Sequence, residues 1–294
     1  MLSIIITAYK EEKTIAKAIQ SILDNNLKIQ YEILIVAPDK ETLEVAREYS
    51  GKDSKIKVIK DKNKGKPAAL NLALSHTKGK ILVLTDGDVY IEKDSLKYLL
   101  EPFKNESIGA VSGHPISINS KNNMFGYWAH VLTNIANERR LIALENKKRF
   151  FCSGYLFAIR KELFPKLQED LLSEDGFISH NVYENNFKID YSEKSKVYVK
   201  YPTNFSDWIK QKERSAGGYN QIKMLLGKEI RSFKTESQGG FGLLKYITSF
   251  REFFWMSLLF IARLYLWIII YIKINLGKEK LYKEKGWQRI ESTK

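Results

Sequence analysis

The chain of 294 residues contains one cysteine, Cys152, and four histidines. A single cysteine excludes an internal disulfide and fits a reducing compartment. The N-terminal residues have neither a basic region nor a small-residue cleavage site, so we expect them to form a strand and not a signal peptide. The histidines lack the spacing of zinc ligands, and we expect all four to be structural: His76, His114, His130 and His180.

Acidic residues are in deficit. The chain has 34 Asp and Glu against 48 Lys and Arg, which gives a net charge of +14. Such a balance favours nucleic acid, a membrane surface or an anionic substrate as the partner. The basic residues are spread along the chain, and no nucleic-acid-binding motif is present. We therefore expect no nucleic-acid partner, which leaves a membrane surface and an anionic substrate.

Residues 81–89, ILVLTDGDV, combine an apolar run with two carboxylates. The apolar part predicts a strand that is buried on both faces. In open α/β sheets, ligands bind just beyond the carboxyl ends of the strands, where Asp86 and Asp88 would lie. Two carboxylates around Gly87 can hold a hard divalent cation. A polar turn is the alternative interpretation, because Asp-Gly is a common turn dipeptide.

Strands and helices alternate in the first half of the sequence. Strands are predicted at residues 2–7, 32–36, 55–59 and 81–85, with a helix after each of the first three. Short connections between them predict an α/β fold with a mostly parallel sheet and helices on both faces. The strand ends would bring six side chains to one edge of the sheet, which favours a ligand site over a turn: Tyr9, Glu11, Asp39, Lys66, Asp86 and Asp88.

The second half has a different pattern. Residues 122–144 predict a long helix with apolar and aromatic residues, and residues 203–226 predict one or two helices. Short strands are predicted at residues 110–113, 154–159, 188–191 and 196–199.

Six motifs occur in order between roughly residues 1 and 226: IIITAYKEEKTI, NKGKPAALNLAL, TDGDV, SGYLFAIRKELF, LSEDG and QKERS. Together they resemble the family-2 glycosyltransferases, which have the Rossmann-like GT-A fold and use nucleotide-diphosphate sugars. The resemblance implies that residues 1–226 form the catalytic domain. It also implies a UDP- or GDP-linked sugar donor and Mg²⁺ or Mn²⁺ as cofactor.

The resemblance implies roles for individual residues. Asp88 would hold the metal, and Asp175 of the Glu-Asp pair would be the catalytic base. Ser173 and Asp175 are also good helix caps, so a purely structural role is the alternative. Donor binding would involve Thr7, Tyr9, Glu11, Asp39, Lys66, Asp86, Gln211 and Arg214.

Three positions depart from the family pattern. Thr7 stands where the usual proline would be, and APDK replaces the usual DDGS, so that Asp39 is a shifted candidate. Ser215 replaces the tryptophan of the QxxRW motif.

The implied chemistry is a single displacement that inverts the anomeric centre. Negative charge builds on the nucleoside diphosphate as it leaves, and a metal at Asp88, together with Arg214, would neutralise it. Asp175 would take the proton of the attacking hydroxyl, and one general base typically contributes about 10²–10⁴-fold to the rate.

Residues 253–272 form a hydrophobic run with one charge, Arg263, and are about long enough to span a bilayer. Basic residues flank both ends, so the positive-inside rule gives no orientation. Charged residues at 245, 251, 252, 263 and 273 fall within about a third of a helical wheel. A helix lying in the membrane interface is therefore a second interpretation, and a buried helix of a soluble protein is a third.

These observations divide the chain into four parts. A linker or amphipathic segment at 227–252 would follow the catalytic domain, and a basic tail at 273–294 would follow the hydrophobic helix. Either membrane interpretation keeps the catalytic domain at the cytoplasmic face of the membrane.

The leading hypothesis is an inverting, metal-dependent glycosyltransferase with a lipid-linked or saccharide acceptor. The alternatives are the catalytic subunit of a processive polysaccharide synthase and a non-catalytic subunit that binds sugar nucleotides.

Overall fold

The computed structural model describes residues 1–227, 244–276 and 290–293. Most of the predicted linker and of the predicted basic tail lies outside these residues. The strands are β1 (Leu2–Thr7), β2 (Tyr31–Ala37), β3 (Ile56–Lys60), β4 (Ile81–Asp86), β5 (Tyr90–Ile91), β6 (Ile108–Ser117), β7 (Leu156–Arg160) and β8 (Lys188–Val199). The helices are α1 (Ile15–Leu23), α2 (Lys40–Ser50), α3 (Lys66–His76), α4 (Ser95–Leu100), α5 (Met124–Glu145), α6 (Glu174–Glu184), α7 (Phe205–Leu226) and α8 (Phe250–Leu276).

The eight strands form one sheet in the order β3-β2-β1-β4-β7-β6-β8-β5. The first four strands of that order are parallel, as the alternation of strands and helices predicted. β7 runs antiparallel to both of its neighbours, β4 and β6. The start of β7 therefore lies beside the end of β4, where the Asp-Gly-Asp motif begins.

Three of the short strands predicted in the second half lie within longer strands. The predicted short strands at 188–191 and 196–199 are one strand, β8, which pairs with β6 through two register shifts. The predicted strand at 110–113 is part of the ten-residue β6. These segments were misjudged because exposed polar residues interrupt the apolar pattern of β8, as at Glu193 and Lys194.

Successive residues of the central strands contribute to two different cores. Ile4 and Ile6 of β1 belong to one hydrophobic cluster, while Ile5 belongs to the other. Val83 and Leu84 of β4 divide in the same way. Because side chains alternate across a strand, this division means that helices cover both faces of the sheet. The burial predicted for residues 81–84 is confirmed, with Ile81 partly buried at the strand's start.

A third core cluster joins α8 to the domain. Trp128 of α5, Trp208 of α7 and Met256 of α8 are buried together in it. The indole Nε1–H of Trp128 donates to the Trp255 carbonyl oxygen at 2.7 Å, and its ring lies edge-on to Trp208 at 5.4 Å. The hydrophobic helix thus packs along α5 and α7 and does not stand apart from the domain.

Candidate active site

The ends of β1 and β4 place their polar side chains side by side. Thr7 and Asp86 are register partners in the parallel pair, and the Thr7 hydroxyl donates to Asp86 Oδ1 at 3.1 Å. Gly87 and Asp88 follow directly. A Cβ at Gly87 would lie 2.2 Å from a Glu11 carboxylate oxygen and 2.8 Å from Ala8 Cβ. Glycine is therefore required between the two aspartates, because the loop after β1 packs against it.

Lys66 comes to the same place from the start of α3. Gly65 precedes it with φ of +95°, a conformation that favours glycine, and Pro67 follows in the first turn. The Lys66 ammonium lies 2.7 Å from Asp86 Oδ1 and 2.9 Å from Glu174 Oε1. Only 8% of each of the Lys66 and Glu174 side chains is exposed.

Lys66 and the carboxylates around it stabilise one another in their charged forms. Burial favours a neutral lysine, but the carboxylates of Asp86 and Glu174 outweigh it and raise the pKa of Lys66. Burial also opposes ionisation of Glu174, yet the adjacent Lys66 ammonium lowers the pKa of that carboxyl. Lys66 is therefore a cation and Glu174 an anion at neutral pH.

Lys66, Asp86 and Asp88 line a cavity of about 670 Å³. This volume is in the range of sites that bind small molecules and cofactors. Of the donor-binding residues that the sequence predicted, seven line it, and so does the predicted metal ligand Asp88: Thr7, Tyr9, Glu11, Lys66, Asp86, Gln211 and Arg214.

Gln211 and Arg214 reach the cavity from one face of α7, as their spacing of three residues predicted. Gln211 Nε2 lies 3.5 Å from the hydroxyl of Tyr155, which also lines the cavity. Burial raises the pKa of Tyr155, so its hydroxyl stays protonated and can donate a hydrogen bond.

Asp39 lies outside the set of described residues that line the cavity. Its carboxylate accepts the backbone N–H of Thr42 at 3.0 Å, which caps α2, and that of Lys10 at 2.8 Å. It thus holds the loop that carries Tyr9. Its predicted role in contacting the donor stays a prediction.

Asp175 is held by hydrogen bonds from residues that adjoin the cavity lining in the sequence. Its carboxylate accepts hydrogen bonds from the Ser173 hydroxyl at 2.7 Å, the Gly176 N–H at 2.8 Å and the Gly154 N–H at 3.1 Å. The neighbouring residues Leu172 and Tyr155 line the cavity, whereas Asp175 is not among the described lining residues. Burial, and then the charge of Glu174, raise its pKa. A carboxyl with a raised pKa is a better proton acceptor than an ordinary aspartate.

Comparison with known families decides the class of this site. A family model described as Glycosyl transferase family 2 matches residues 3–168, which is more than half of the chain. The chain belongs to glycosyl transferase family 2. The resemblance inferred from the six motifs is thereby confirmed.

Two curated family members show how the chain relates to longer proteins. Glycosyltransferase GlyA of Streptococcus pneumoniae serotype 4 (strain ATCC BAA-334 / TIGR4) is 27% identical over 206 residues, which cover 66% of this chain and 30% of GlyA. The poly-β-1,6-N-acetyl-D-glucosamine synthase of Staphylococcus epidermidis is 24% identical over 280 residues, 92% of this chain and 65% of the synthase. The chain thus spans less than two thirds of either relative.

Solved structures of similar fold confirm the GT-A fold predicted from the sequence. The mannosyltransferase PcManGT from Pyrobaculum calidifontis, in complex with GDP-Man and Mn²⁺, has a TM-score of 0.67 and 17% identity. The match covers 95% of this chain and 88% of PcManGT. Staphylococcus aureus TarS 1–349 in complex with UDP has a TM-score of 0.55 and 19% identity. The match covers 81% of this chain and 68% of the TarS chain.

The carboxylates of the site fit a divalent metal that is held partly by the protein and partly by the phosphates of a bound substrate. The described residues contain no group of three or more His, Cys, Asp or Glu side chains that could enclose a metal ion. Asp88 presents a carboxylate to the cavity, while Asp86 is engaged by Lys66. Mg²⁺ and Mn²⁺ are commonly held by one or two carboxylates plus the phosphates of a substrate. The residues therefore fit a metal that Asp88 and a diphosphate would share.

The sequence analysis did not predict the pairing of Glu174 with Lys66 or assign a role to several of the residues that line the cavity. Glu174 pairs with Lys66, and Tyr155 and Lys200 line the cavity. Ile290 and Thr293 also line it, and the Ser292 N–H donates to Asp207 of α7 at 3.0 Å. Tyr155 could have been found from its motif if the antiparallel pairing of β7 with β4 had been known. Nothing in the sequence near residue 290 indicates its position.

Cys152 is buried and is not among the described residues that line the cavity. Burial raises the pKa of the Cys152 thiol to about 12, so the thiol is protonated and unreactive at neutral pH.

Proposed function

We propose that this chain is an inverting, metal-dependent glycosyltransferase that moves a sugar from a nucleotide-diphosphate donor to a lipid-linked or saccharide acceptor. The observation that carries the proposal is the cluster in which Lys66 contacts Asp86 and Glu174, with Lys66, Asp86 and Asp88 lining the cavity. Membership of family 2 supports the reaction class.

The donor fits the cavity by charge and size. The end of β1, with Thr7, Tyr9 and Glu11, offers polar groups and a ring to a nucleoside, and Lys66 and Arg214 offer positive charge to a diphosphate. The similar structures contain GDP-Man, UDP and UDP-GlcNAc in their own sites. These ligands support a UDP- or GDP-linked sugar as the donor of this chain.

A divalent cation, Mg²⁺ or Mn²⁺, would be held by Asp88. When bound, it supplies positive charge that stabilises the departing diphosphate. The structure of PcManGT contains Mn²⁺, which supports the choice of metal.

The residues then divide the chemistry among themselves. Asp175 accepts the proton of the acceptor hydroxyl, and the hydroxyl oxygen forms a bond to the anomeric carbon of the donor sugar. The bond from that carbon to the diphosphate oxygen breaks, and its electron pair leaves with the diphosphate. Arg214, at the cavity wall, stabilises the charge that appears there. One displacement of this kind inverts the anomeric centre.

The exposed face of α8 supports association with a membrane. Within the described chain, Phe250–Ile272 is one helix that is long and apolar enough to cross a membrane, with mean hydropathy 2.0. One face of α8 packs on α5 and α7, yet Phe254, Ile261 and Leu264 on the other face are more than half exposed. A helix fixed along the domain on one side suits a position in the membrane interface, with the exposed face toward the lipid. The catalytic domain then lies at the cytoplasmic face, which the single cysteine favours.

A second candidate is the catalytic subunit of a processive polysaccharide synthase. The match with the poly-β-1,6-N-acetyl-D-glucosamine synthase over 92% of this chain favours it. The size of the products would separate the two, since a processive enzyme makes long chains from the first turnovers. A non-catalytic subunit that binds sugar nucleotides would make no product.

A thermal-shift screen tests the proposal. The full chain is heated with UDP-GlcNAc, UDP-Glc or GDP-Man, each with and without Mn²⁺. A ligand at 100 times its Kd should add about 2.7 kcal/mol of stability. We expect one donor to stabilise the protein, and more so with Mn²⁺. No stabilisation by any UDP- or GDP-linked sugar would contradict the proposal.

A further inference from the structure

Two aromatic rings stack beside Asp175 without belonging to the hydrophobic core. The centroids of Phe151 and Tyr219 lie 6.3 Å apart, and their planes differ by 22°. Both residues are partly exposed. Neither belongs to any of the three core clusters formed by the described residues. Stability of the core therefore does not explain why two rings are stacked at this surface.

The segments that carry these rings both contact the Asp175 region. Phe151 lies three residues before Gly154, whose N–H donates to Asp175 Oδ2. Tyr219 follows Gly218, where a Cβ would lie 2.5 Å from Ser173 Cβ. Ser173 in turn donates to Asp175 Oδ1 at 2.7 Å. The two segments that carry the rings thus both lead to the Asp175 carboxylate, one through Gly154 and the other through Ser173.

The rings lie outside the donor cavity. Leu172 and Tyr155 line that cavity, whereas Phe151 and Tyr219 are not among its described lining residues. Asp175 accepts hydrogen bonds from Gly154 and Ser173, which adjoin the lining residues Tyr155 and Leu172 in the sequence. A base that serves a transfer reaction must reach the donor sugar on one side and the acceptor hydroxyl on the other. The rings lie outside the donor cavity, on the segments that hold Asp175, which makes them candidates for contact with the acceptor.

We propose that Phe151 and Tyr219 form an acceptor subsite that binds the terminal pyranose of a saccharide beside Asp175. This rests on the proposed glycosyltransferase function. A pyranose has a face of C–H groups that packs on an aromatic ring, and the tyrosine hydroxyl can hydrogen-bond to the sugar. Ser215, one turn earlier on α7, is exposed and has no ring, so Tyr219 provides the aromatic surface of this part of the helix.

The test measures binding of sugar and of nucleotide on the same variants of the full chain. The sugar probes are a β-1,6-linked N-acetylglucosamine tetrasaccharide and β-1,4-mannobiose. Binding of each probe is measured by saturation-transfer NMR, in which the aromatic protons of the protein are saturated. The variants are Phe151→Ala, Tyr219→Ala and Tyr219→Phe. We expect the wild type to bind one of the probes. Both alanine variants should bind it about tenfold more weakly, and Tyr219→Phe should stay within about threefold of the wild type.

A matched control removes a partly exposed tyrosine from a distant helix. Tyr98→Ala on α4 should leave the affinity for the sugar unchanged. The affinity of each variant for UDP or GDP with Mn²⁺, measured by calorimetry, should match that of the wild type. Failure of the wild type to bind either sugar would overturn the acceptor subsite, as would unchanged sugar binding by Tyr219→Ala. Failure of the wild type to bind any nucleotide would refute the donor site instead, so the two failures can be told apart.

Discussion

Lys66 Nζ lies 2.9 Å from Glu174 Oε1 and connects two motifs that are far apart in the sequence. The same ammonium contacts Asp86 at 2.7 Å, so the lysine links the Asp-Gly-Asp motif at the end of β4 to the Glu-Asp pair at the start of α6. One buried cation thus faces the buried Glu174 carboxylate and the partly buried Asp86 carboxylate. Asp88, the second carboxylate of the motif, lines the cavity beside them.

Replacement of Lys66 by methionine should destabilise the fold. It would leave Asp86 and Glu174 buried without their cation, and removal of one partner of a buried ion pair typically costs about 3–5 kcal/mol. Chemical denaturation measures the loss. Lys64→Met is the matched control, because Lys64 forms an exposed pair with Glu169 at 3.1 Å and such pairs contribute about 0–1 kcal/mol. Equal stability of the two variants would show that the buried cluster is not held by Lys66.

Replacement of Asp88 by asparagine should remove the metal dependence of nucleotide binding. The side chain keeps its shape but loses the charge that a hard cation requires. In the presence of Mn²⁺ we expect UDP or GDP to bind at least about tenfold more weakly than to the wild type. Chelation of the metal should weaken nucleotide binding by the wild type and leave nucleotide binding by the variant unchanged. Asp24→Asn, at an exposed position after α1, controls for the loss of one negative charge. A variant that still gains affinity from Mn²⁺ would place the metal elsewhere.

Local pattern predicted the part of the site that follows the parallel strands. The apolar run before Asp86 and the position of Lys66 before Pro67 were sufficient to place both residues at one sheet edge, because parallel strands end on the same side. Glu174 could not be placed in this way. Its approach to Lys66 depends on the antiparallel β7 and on the packing of α6, which are long-range features that no local period encodes.

The C-terminal part shows the same limit. The sequence identified α8 as a hydrophobic helix, and its length and composition are confirmed within the described residues. The helix starts at Phe250, so Lys245 lies outside it and does not share its charged face. Packing of α8 against Trp128 and Trp208 could not be predicted, since a tryptophan-rich helix surface has the same composition whether it meets protein or lipid.

Polar residues on the exposed face of α8 should release the protein from membranes without unfolding it. Ile261, Leu264 and Ile268 are 63%, 56% and 49% exposed, so a triple change to serine removes little packing. Binding to vesicles of phosphatidylglycerol is measured by co-sedimentation. We expect the triple variant to bind at least about tenfold more weakly, because each buried side chain of this size contributes about 1.5–3 kcal/mol. Leu244→Ser, exposed but outside the helix, is the control. Undiminished vesicle binding by the triple variant would assign the membrane contact to another surface.

The pH dependence of transfer should report on Asp175. A base must be ionised to accept a proton, and burial together with Glu174 raises the pKa of Asp175 above its ordinary value of 3.8. The rate at saturating substrate should therefore be low at acid pH, where Asp175 is protonated, and rise as Asp175 ionises. The midpoint of this rise should lie above that of an exposed aspartate. Ser173→Ala removes a hydrogen bond that favours the ionised form, so it should move the midpoint to higher pH. A midpoint that does not respond to Ser173→Ala would assign the acid limb to another group.

The most direct test compares Asp175→Asn with the wild type in donor binding and in turnover on the same preparations. Asparagine keeps the size of the side chain and can still accept a hydrogen bond, but it cannot take the proton of the acceptor hydroxyl. Donor affinity is measured by calorimetry, and transfer by the nucleoside diphosphate released in the presence of acceptor. We predict unchanged donor affinity and a rate at least about 10²-fold lower. Transfer by the variant at the wild-type rate would contradict the assignment of Asp175 as the base and make Glu174 the next residue to examine.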